Sequence, residues 1–122
     1  HVSASSTEGL DAGHVAFYAA TSPDKLVRAR EALERERARI CREPIAALEL
    51  ERAQAYLVGQ AEAALQRRGR IASSMAFNEI YGLGYAAHLA YARRIEAVRA
   101  TDVTALARAL LQPSRQITAI VA

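Results

Sequence analysis

Residues 49–66 carry the strongest periodic signal in the chain. Apolar side chains recur there at spacings of three and four, as they do along one side of an α-helix. The stripe consists of Leu50, Ala53, Leu57, Ala61, Ala64 and Leu65. Because most of these side chains are alanine, a neighbouring element can approach the helix closely. We therefore predict one long core helix that lies flat against a sheet.

The size and composition of the chain set wide limits on its fold and partners. A length of 122 residues and an apolar content of 52% predict at most one folded domain. The 16 Lys and Arg residues are nearly balanced by 13 Asp and Glu residues, so the charge of +3 gives nucleic-acid binding no strong support. The single cysteine, Cys41, excludes an internal disulfide and a multi-cysteine metal site. No apolar run is long enough to span a membrane.

Two strands are predicted before the first helix. Val2 and Ala4 alternate with Ser3 and Ser5, which is typical of a half-buried strand with a polar face. Residues 8–13 contain two glycines that suit a turn. Residues 14–21 form the second strand, and both of its faces are fairly apolar, as in an inner strand. The simplest pairing is an antiparallel hairpin.

Five helices are predicted after the hairpin. Ser22 and Pro23 are typical of a helix start, and this helix extends to about Arg42. Its Arg and Glu side chains are spaced for ion pairs such as Glu31 with Arg35 and Glu34 with Arg37, which favours a solvated, self-paired surface over a basic nucleic-acid helix. The later helices are expected from Pro44 to Gly69, over 70–81, over 85–100, and from Thr101 to about residue 112.

The last segment, residues 116–122, is almost continuously apolar and predicts an interior strand. The expected fold class is therefore α+β. An antiparallel sheet, with two N-terminal strands and one C-terminal strand in this chain and others missing upstream, would pack against about five helices. The chain begins with strand-like sequence, so we expect it to be a fragment of a longer protein.

Catalytic and metal-binding motifs are missing from this sequence. His1, His14 and His88 are far apart, and none has the spacing of a zinc-peptidase helix. His14 is interpreted as a sheet-surface or partly buried histidine rather than a ligand. Cys41 has no histidine partner in its local sequence. We therefore predict no catalytic residue and no metal ligand in this chain.

A set of short motifs nevertheless resembles the C-terminal domain of the pitrilysin/insulinase-like zinc peptidases, whose bacterial members are relatives of mitochondrial processing peptidase. The family helix reads Glu-Leu-Glu-Arg-Ala-Lys-Ala-Tyr-Leu, a hydrophobic residue, and Gly. Residues 49–59 follow it with Gln54 at the lysine position. Further matching segments, in the order and spacing of the family, are 9–13, 17–26, 79–84, 95–98, 101–103 and 117–122. The resemblance covers essentially the whole chain.

This resemblance implies a fold and a function. The family builds repeated α+β domains whose two halves close around a peptide chamber. A zinc ion and a His-x-x-Glu-His helix in an N-terminal domain activate the water that attacks the substrate. This sequence has no such helix, and the substrate-holding Arg and Tyr of the opposite half would fall just upstream of it. The chain would therefore be the latter part of a C-terminal, non-catalytic domain, inactive alone, that forms chamber wall and supports substrate binding.

The partners and compartment follow from the same resemblance. We expect peptide substrate, an N-terminal catalytic domain or a partner subunit that carries zinc, and a homo- or heterodimer. The compartment would be bacterial cytoplasm or periplasm. Chamber-facing residues are expected on the polar face of the first strand and its loop, namely Ser3, Ser5, Thr7 and Glu8, although these could instead form a solvated strand edge. The alternative is a metal-free partner or a structural core-like subunit without peptidase activity.

Overall fold

The structure is a computed structural model that describes residues 1–9 and 11–121. The described residues fall into two compact units. The first contains His1–Glu43 and Thr104–Ala122, and the second contains Pro44–Val103. Within the described part of the chain the elements are β1 (Val2–Thr7), β2 (His14–Ala19), α1 (Leu26–Arg42), α2 (Ala47–Leu65), α3 (Arg68–Ile80), α4 (Tyr91–Glu96) and α5 (Ala100–Leu110). Short 3-10 helices cover Pro23–Lys25, Tyr85–Ala90 and Pro113–Arg115.

The predicted hairpin is confirmed. β1 and β2 pair antiparallel, with Val2 opposite Ala19 and Thr7 opposite His14. His1 and Ala20 extend the ladder, since the N–H of Ala20 donates to the His1 carbonyl at 2.9 Å and the His1 amino group donates to the Ala20 carbonyl at 3.1 Å. A Cβ atom at Gly13 would lie 2.3 Å from the Thr7 carbonyl oxygen, so the chain enters β2 where only glycine fits.

The first helix is formed largely as predicted. Ser22 has the extended backbone of an N-cap residue, and Pro23 opens the short helical turn that leads into α1. Within the described structure the Ser22 side chain makes no capping hydrogen bond. The predicted ion pairs are present, with 4.0 Å between Arg35 and Glu31 and 2.8 Å between Arg37 and Glu34. These pairs confirm a self-paired helix surface.

One face of α5 lies toward the C-terminal end of α1. The Arg108 guanidinium donates to the Cys41 carbonyl at 2.6 Å and to the Arg42 carbonyl at 3.3 Å, and the Thr104 hydroxyl donates to the Glu43 carbonyl at 3.4 Å. These carbonyls are among those that a helix end leaves without intrahelical partners. Thr104 and Ala107 are the buried residues in the described part of the chain. They lie three residues apart, on the same face of α5 as Arg108.

A second contact joins the middle of α1 to the end of α5. The Arg37 guanidinium of α1 donates to the Leu111 carbonyl at 2.9 Å, just after α5 ends. Contacts therefore run from the end of α1 to the middle of α5 and from the middle of α1 to the end of α5. This order requires the two helices to run antiparallel.

The second unit contains α2, α3 and α4, and its boundaries differ from those predicted. Helix α2 ends at Leu65 rather than at Gly69, because Arg67 takes an extended backbone conformation and α3 begins at Arg68. Gly69 therefore belongs to the first turn of α3. The predicted stop after α3 is confirmed, since Gly82 and Gly84 have φ angles of 70° and 80°.

The predicted helix over 85–100 is wrong as one element. It consists of a 3-10 helix, the short α4 and a turn before α5. The physical reason is that the Gln54 side chain, rather than the N–H groups of a further helical turn, binds the carbonyls at the end of α4. Its amide donates to the Ile95, Glu96 and Val98 carbonyls at 2.9, 3.2 and 3.0 Å. The Asp102 carboxylate then accepts the Arg99 N–H at 2.9 Å and starts α5.

The predicted inward stripe of α2 is partly wrong. Leu50, Ala61 and Leu65 are half-buried as expected, but Ala53, Leu57 and Ala64 are exposed. Gln54 and Val58 are half-buried in their place. The half-buried line therefore passes through Gln54, because its amide is bound to the end of α4.

The predicted C-terminal strand is not confirmed. In the described part of the chain the sheet contains only β1 and β2, and residues 116–121 belong to no strand, while Ala122 lies outside the description. The Gln116 amide donates to the Glu34 carboxylate of α1, and Ile120 lines an open groove of about 500 Å³ with Leu26 and Val27. The start of the segment is therefore tied to α1 by the Gln116 side chain.

The described chain is mostly helical with a two-stranded antiparallel sheet. None of its helices, as far as the described residues go, combines the length and apolarity needed to cross a bilayer.

Candidate functional site

The candidate site is the polar face of the hairpin. Facing residues of an antiparallel pair lie on the same side of the sheet. The register therefore places Ser3, Ser5 and Thr7 on one side with their partners Tyr18, Ala16 and His14. Every residue of β1 is exposed. The hairpin thus presents a row of hydroxyl groups to solvent, with a phenol at one end and an imidazole at the other.

Glu8 does not join this row. Its carboxylate accepts a hydrogen bond of 2.8 Å from the Ser6 hydroxyl. Ser6 is opposite Val15 and so belongs to the other side of the hairpin. The structure therefore brings three of the four predicted residues together and turns the carboxylate of the fourth toward a serine of the other face.

Sequence reasoning missed the contribution of β2 to this face. Tyr18 is 57% exposed, and its ring lies 6.1 Å from that of His1, centroid to centroid. His14 is also exposed. Alternation along β2 places His14 and Tyr18 on one side, but only the register shows that this side is shared with Ser3 and Thr7.

The turn explains why the row is continuous up to Thr7. The close approach of Gly13 to the Thr7 carbonyl lets pairing continue to the last residue of β1. A side chain at position 13 would push the two strands apart at this end. Gly13 therefore positions Thr7 and His14 across from each other.

The chemistry of this face is hydrogen bonding. Hydroxyl groups both donate and accept, so a row of them can bind the alternating N–H and C=O groups of an extended peptide. Among the described residues no group of three or more His, Cys, Asp or Glu side chains could hold a metal ion. The geometry of this face therefore suits hydrogen bonding to a ligand.

A second candidate region is the arginine-rich end of α1. Glu34, Arg37, Arg39 and Glu43 are among the residues that line an open groove of about 480 Å³. Arg37 and Arg39 each hold a glutamate at 2.8 Å, Glu34 and Glu36 respectively. The hydrogen bond from Gln116 is the main cause that lowers the pKa of the Glu34 carboxyl, followed by the bond from Arg37. The charges of Arg37 and Arg39 are therefore paired with those of Glu34 and Glu36.

Comparison of the chain with protein-family models, curated proteins and solved structures finds no match. The structure itself gives the helix over 49–59 a definite local role. Gln54, at the lysine position of the family-like motif, binds the end of α4. Tyr56 of the same helix is 64% exposed, and its hydroxyl accepts a hydrogen bond of 2.6 Å from the Gln60 amide. The half-buried Gln54 side chain thus links α2 to the end of α4 within the second unit.

Proposed function

We propose that this chain is the latter part of a C-terminal, non-catalytic domain of a zinc-dependent metalloendopeptidase of the pitrilysin/insulinase type. Its role is to form part of the wall of a peptide chamber and to support substrate binding. Zinc and the water-activating residues would belong to a catalytic domain or partner subunit outside this chain. The resemblance of the motifs in residues 9–122 is the basis of the proposal.

The structural observation that supports it is the hydroxyl row of Ser3, Ser5 and Thr7 on an exposed strand. A chamber wall that handles many peptides has to bind groups that all peptides share. Backbone N–H and C=O groups are such groups, and hydroxyls can bind either kind. This face contributes to affinity without selecting a particular side chain.

The family assignment is tested on the longer protein that contains this sequence. Zinc content and peptide cleavage are measured on that protein alone and after addition of a partner chain. One zinc and cleavage by the protein alone place this domain in a catalytic chain. Zinc and activity that require the partner assign it to the metal-free half. Absence of both under all conditions overturns the peptidase proposal in favour of the core-like scaffold subunit.

The role of the hydroxyl row is tested by paired substitutions in the same protein. Ser5→Ala with Thr7→Ala removes two hydroxyls from the polar face, and we expect KM to rise about tenfold, because each hydrogen bond is worth about 0.5–1.5 kcal/mol. We expect kcat to stay unchanged because the row is not part of the reaction. Ser6→Ala is the matched control, since Ser6 is on the opposite face of the same strand. An equal effect of Ser6→Ala would contradict the assignment.

A further inference from the structure

We propose that residues 116–121 of one chain form a third strand on the outer edge of β2 in a second copy of this chain. The proposal rests on an apolar extended segment, an open strand edge and a match between their side-chain patterns. It is independent of the proposed peptidase family.

The donor is the segment that follows the 3-10 helix at Pro113–Arg115. Gln116 has extended backbone angles, φ −92° and ψ 135°. The side chain of Ile117 is 94% exposed and that of Val121 is 99% exposed. Ile117 and Val121 are β-branched and four positions apart, so in a strand both would lie on the same face.

The acceptor is β2. His1 and Ala20 exchange both of their backbone hydrogen bonds, so residue pairs with this bonding alternate along the ladder. The N–H groups of Val15, Phe17 and Ala19 therefore point away from β1. In the described part of the chain no strand pairs with that edge. A two-stranded hairpin is marginal in water, and a third strand on an apolar face stabilises it.

Donor and acceptor have a matching alternation of apolar side chains. One face of β2 presents Val15, Phe17 and Ala19, of which Phe17 is 46% exposed. An added strand that directs Ile117, Ala119 and Val121 to this face extends it as one apolar surface, while Thr118 joins the hydroxyl-bearing face. This pairing also makes β2 an inner strand, as predicted from its sequence.

A second copy is the occupant because the segment is already held by its own chain. The Gln116–Glu34 hydrogen bond ties the start of the segment to α1, and Ile120 lines an open groove together with Leu26 and Val27. Ile117 and Val121 project outward from that position. A neighbouring hairpin can pair with them without breaking the contacts to α1. Each copy has one segment and one edge, so two copies satisfy each other in a closed two-fold dimer.

The proposal is tested by sedimentation equilibrium of the full 122-residue chain over a range from about 1 μM to about 1 mM. We expect a monomer–dimer equilibrium in that range. Ile117→Lys with Val121→Lys should weaken dimerisation at least about tenfold, since it places charges on the apolar face of the added strand. The matched control is Tyr56→Lys with Leu89→Lys, which adds the same charge at side chains that are 64% and 78% exposed. It should leave the dissociation constant within about twofold. A monomer at every concentration, or equal weakening by both double variants, overturns the proposal.

A mixing experiment separates exchange between copies from pairing within one chain. Val15→Pro removes an outward N–H of β2 and leaves the segment 116–121 intact, whereas Ile117→Lys with Val121→Lys leaves β2 intact. Each variant alone should be monomeric. Their mixture should form a heterodimer, since one intact segment meets one intact edge. A mixture that stays monomeric although both variants are folded overturns the proposal. The lysine variant changes only exposed side chains outside the hairpin, so its result decides the question even if Val15→Pro fails to fold.

Discussion

The ends of α1 and α4 are satisfied by different chemistry. The end of α1 receives the Arg108 guanidinium and the Thr104 hydroxyl from α5. The end of α4 receives the neutral amide of Gln54 from α2, which is shared among three carbonyls. Both arrangements satisfy carbonyls that a helix end leaves free. Only the first places a positive charge at the negative end of the helix dipole.

This difference separates the sources of stability in the two units. In the first unit the capping residues share a helix face with the buried Ala107, so hydrogen bonding, charge and burial act on one face of α5. In the second unit Gln54 is only half-buried and carries no charge. We therefore expect substitutions at the α1–α5 contact to cost more than those at Gln54.

The largest effect is expected from Ala107→Leu. Ala107 is 7% exposed, and added methyl groups in a packed contact cost about 1–3 kcal/mol. The measurement is urea unfolding, together with hydrogen exchange of the α1 and α5 amides. Ala53→Leu is the control, because Ala53 is exposed on α2 and should change stability by less than about 0.5 kcal/mol. Equal losses in the two variants would show that the α5 face is not the better packed one.

The next effect is expected from Arg108→Met, which keeps an apolar stem but removes the donors to the Cys41 and Arg42 carbonyls. Arg108 is exposed, so the loss should lie near the lower end of the range for hydrogen bonds from charged groups, about 1.5 kcal/mol. Faster amide exchange in the last turn of α1 is the expected signature. The control is Arg28→Met, at an exposed position of α1, which should leave amide exchange in the last turn of α1 unchanged.

A smaller effect, about 1 kcal/mol, is expected from Gln54→Leu, because water replaces part of what the amide supplies at a half-buried site. Gln54→Lys sharpens the comparison. Its ammonium has three donors and a charge that suits a helix C-terminus, so this variant should be at least as stable as the parent chain. Unfolding midpoints in urea check both. A lysine variant as unstable as the leucine variant would show that amide geometry, rather than donor supply, determines this contact.

The smallest expected effect is on the stability of the fold at acid pH. The Gln116 and Arg37 hydrogen bonds lower the pKa of the Glu34 carboxyl from its ordinary value of 4.5. A lowered pKa stabilises the fold above the unfolded value, and this contribution is lost as the pH falls from about 4.5 through the lower folded value. The Glu34 side chain is 38% exposed, so solvent screens most of this contribution to stability. Glu34→Gln should flatten the acid side of the stability–pH curve slightly. Glu31→Gln, at a 64% exposed side chain of the same helix, is the control.

Local sequence signals predicted much of the fold. Alternation and two glycines predicted the hairpin, and the Arg and Glu spacing predicted the ion pairs of α1. The helix prediction that was wrong depended on a side chain that binds distant backbone carbonyls. Gln54 ends α4 from more than 40 positions away in the chain, and periodicity counts it only as a polar residue. The strand predicted over 116–122 is not confirmed within the described residues, and strand formation there depends on a partner edge, which hydropathy does not specify.

The candidate face was predicted in part for the same reason. Alternation identified Ser3, Ser5 and Thr7, whereas His14 and Tyr18 joined them only through the register. The position of Glu8 depended on a hydrogen bond to Ser6 that no spacing rule requires. Sequence thus identified a strand face but not its cross-strand neighbours.

The exposure of the large apolar side chains has a calorimetric consequence. In the described structure Leu48, Phe77, Tyr85, Leu89 and Leu106 all remain more than half exposed. Unfolding such a chain hydrates little new apolar area. The heat-capacity increment of the isolated chain should therefore fall below the usual value of about 12–15 cal/mol/K per residue, and its thermal transition should be broad. Any partner that covers these side chains should raise that increment and sharpen the melt.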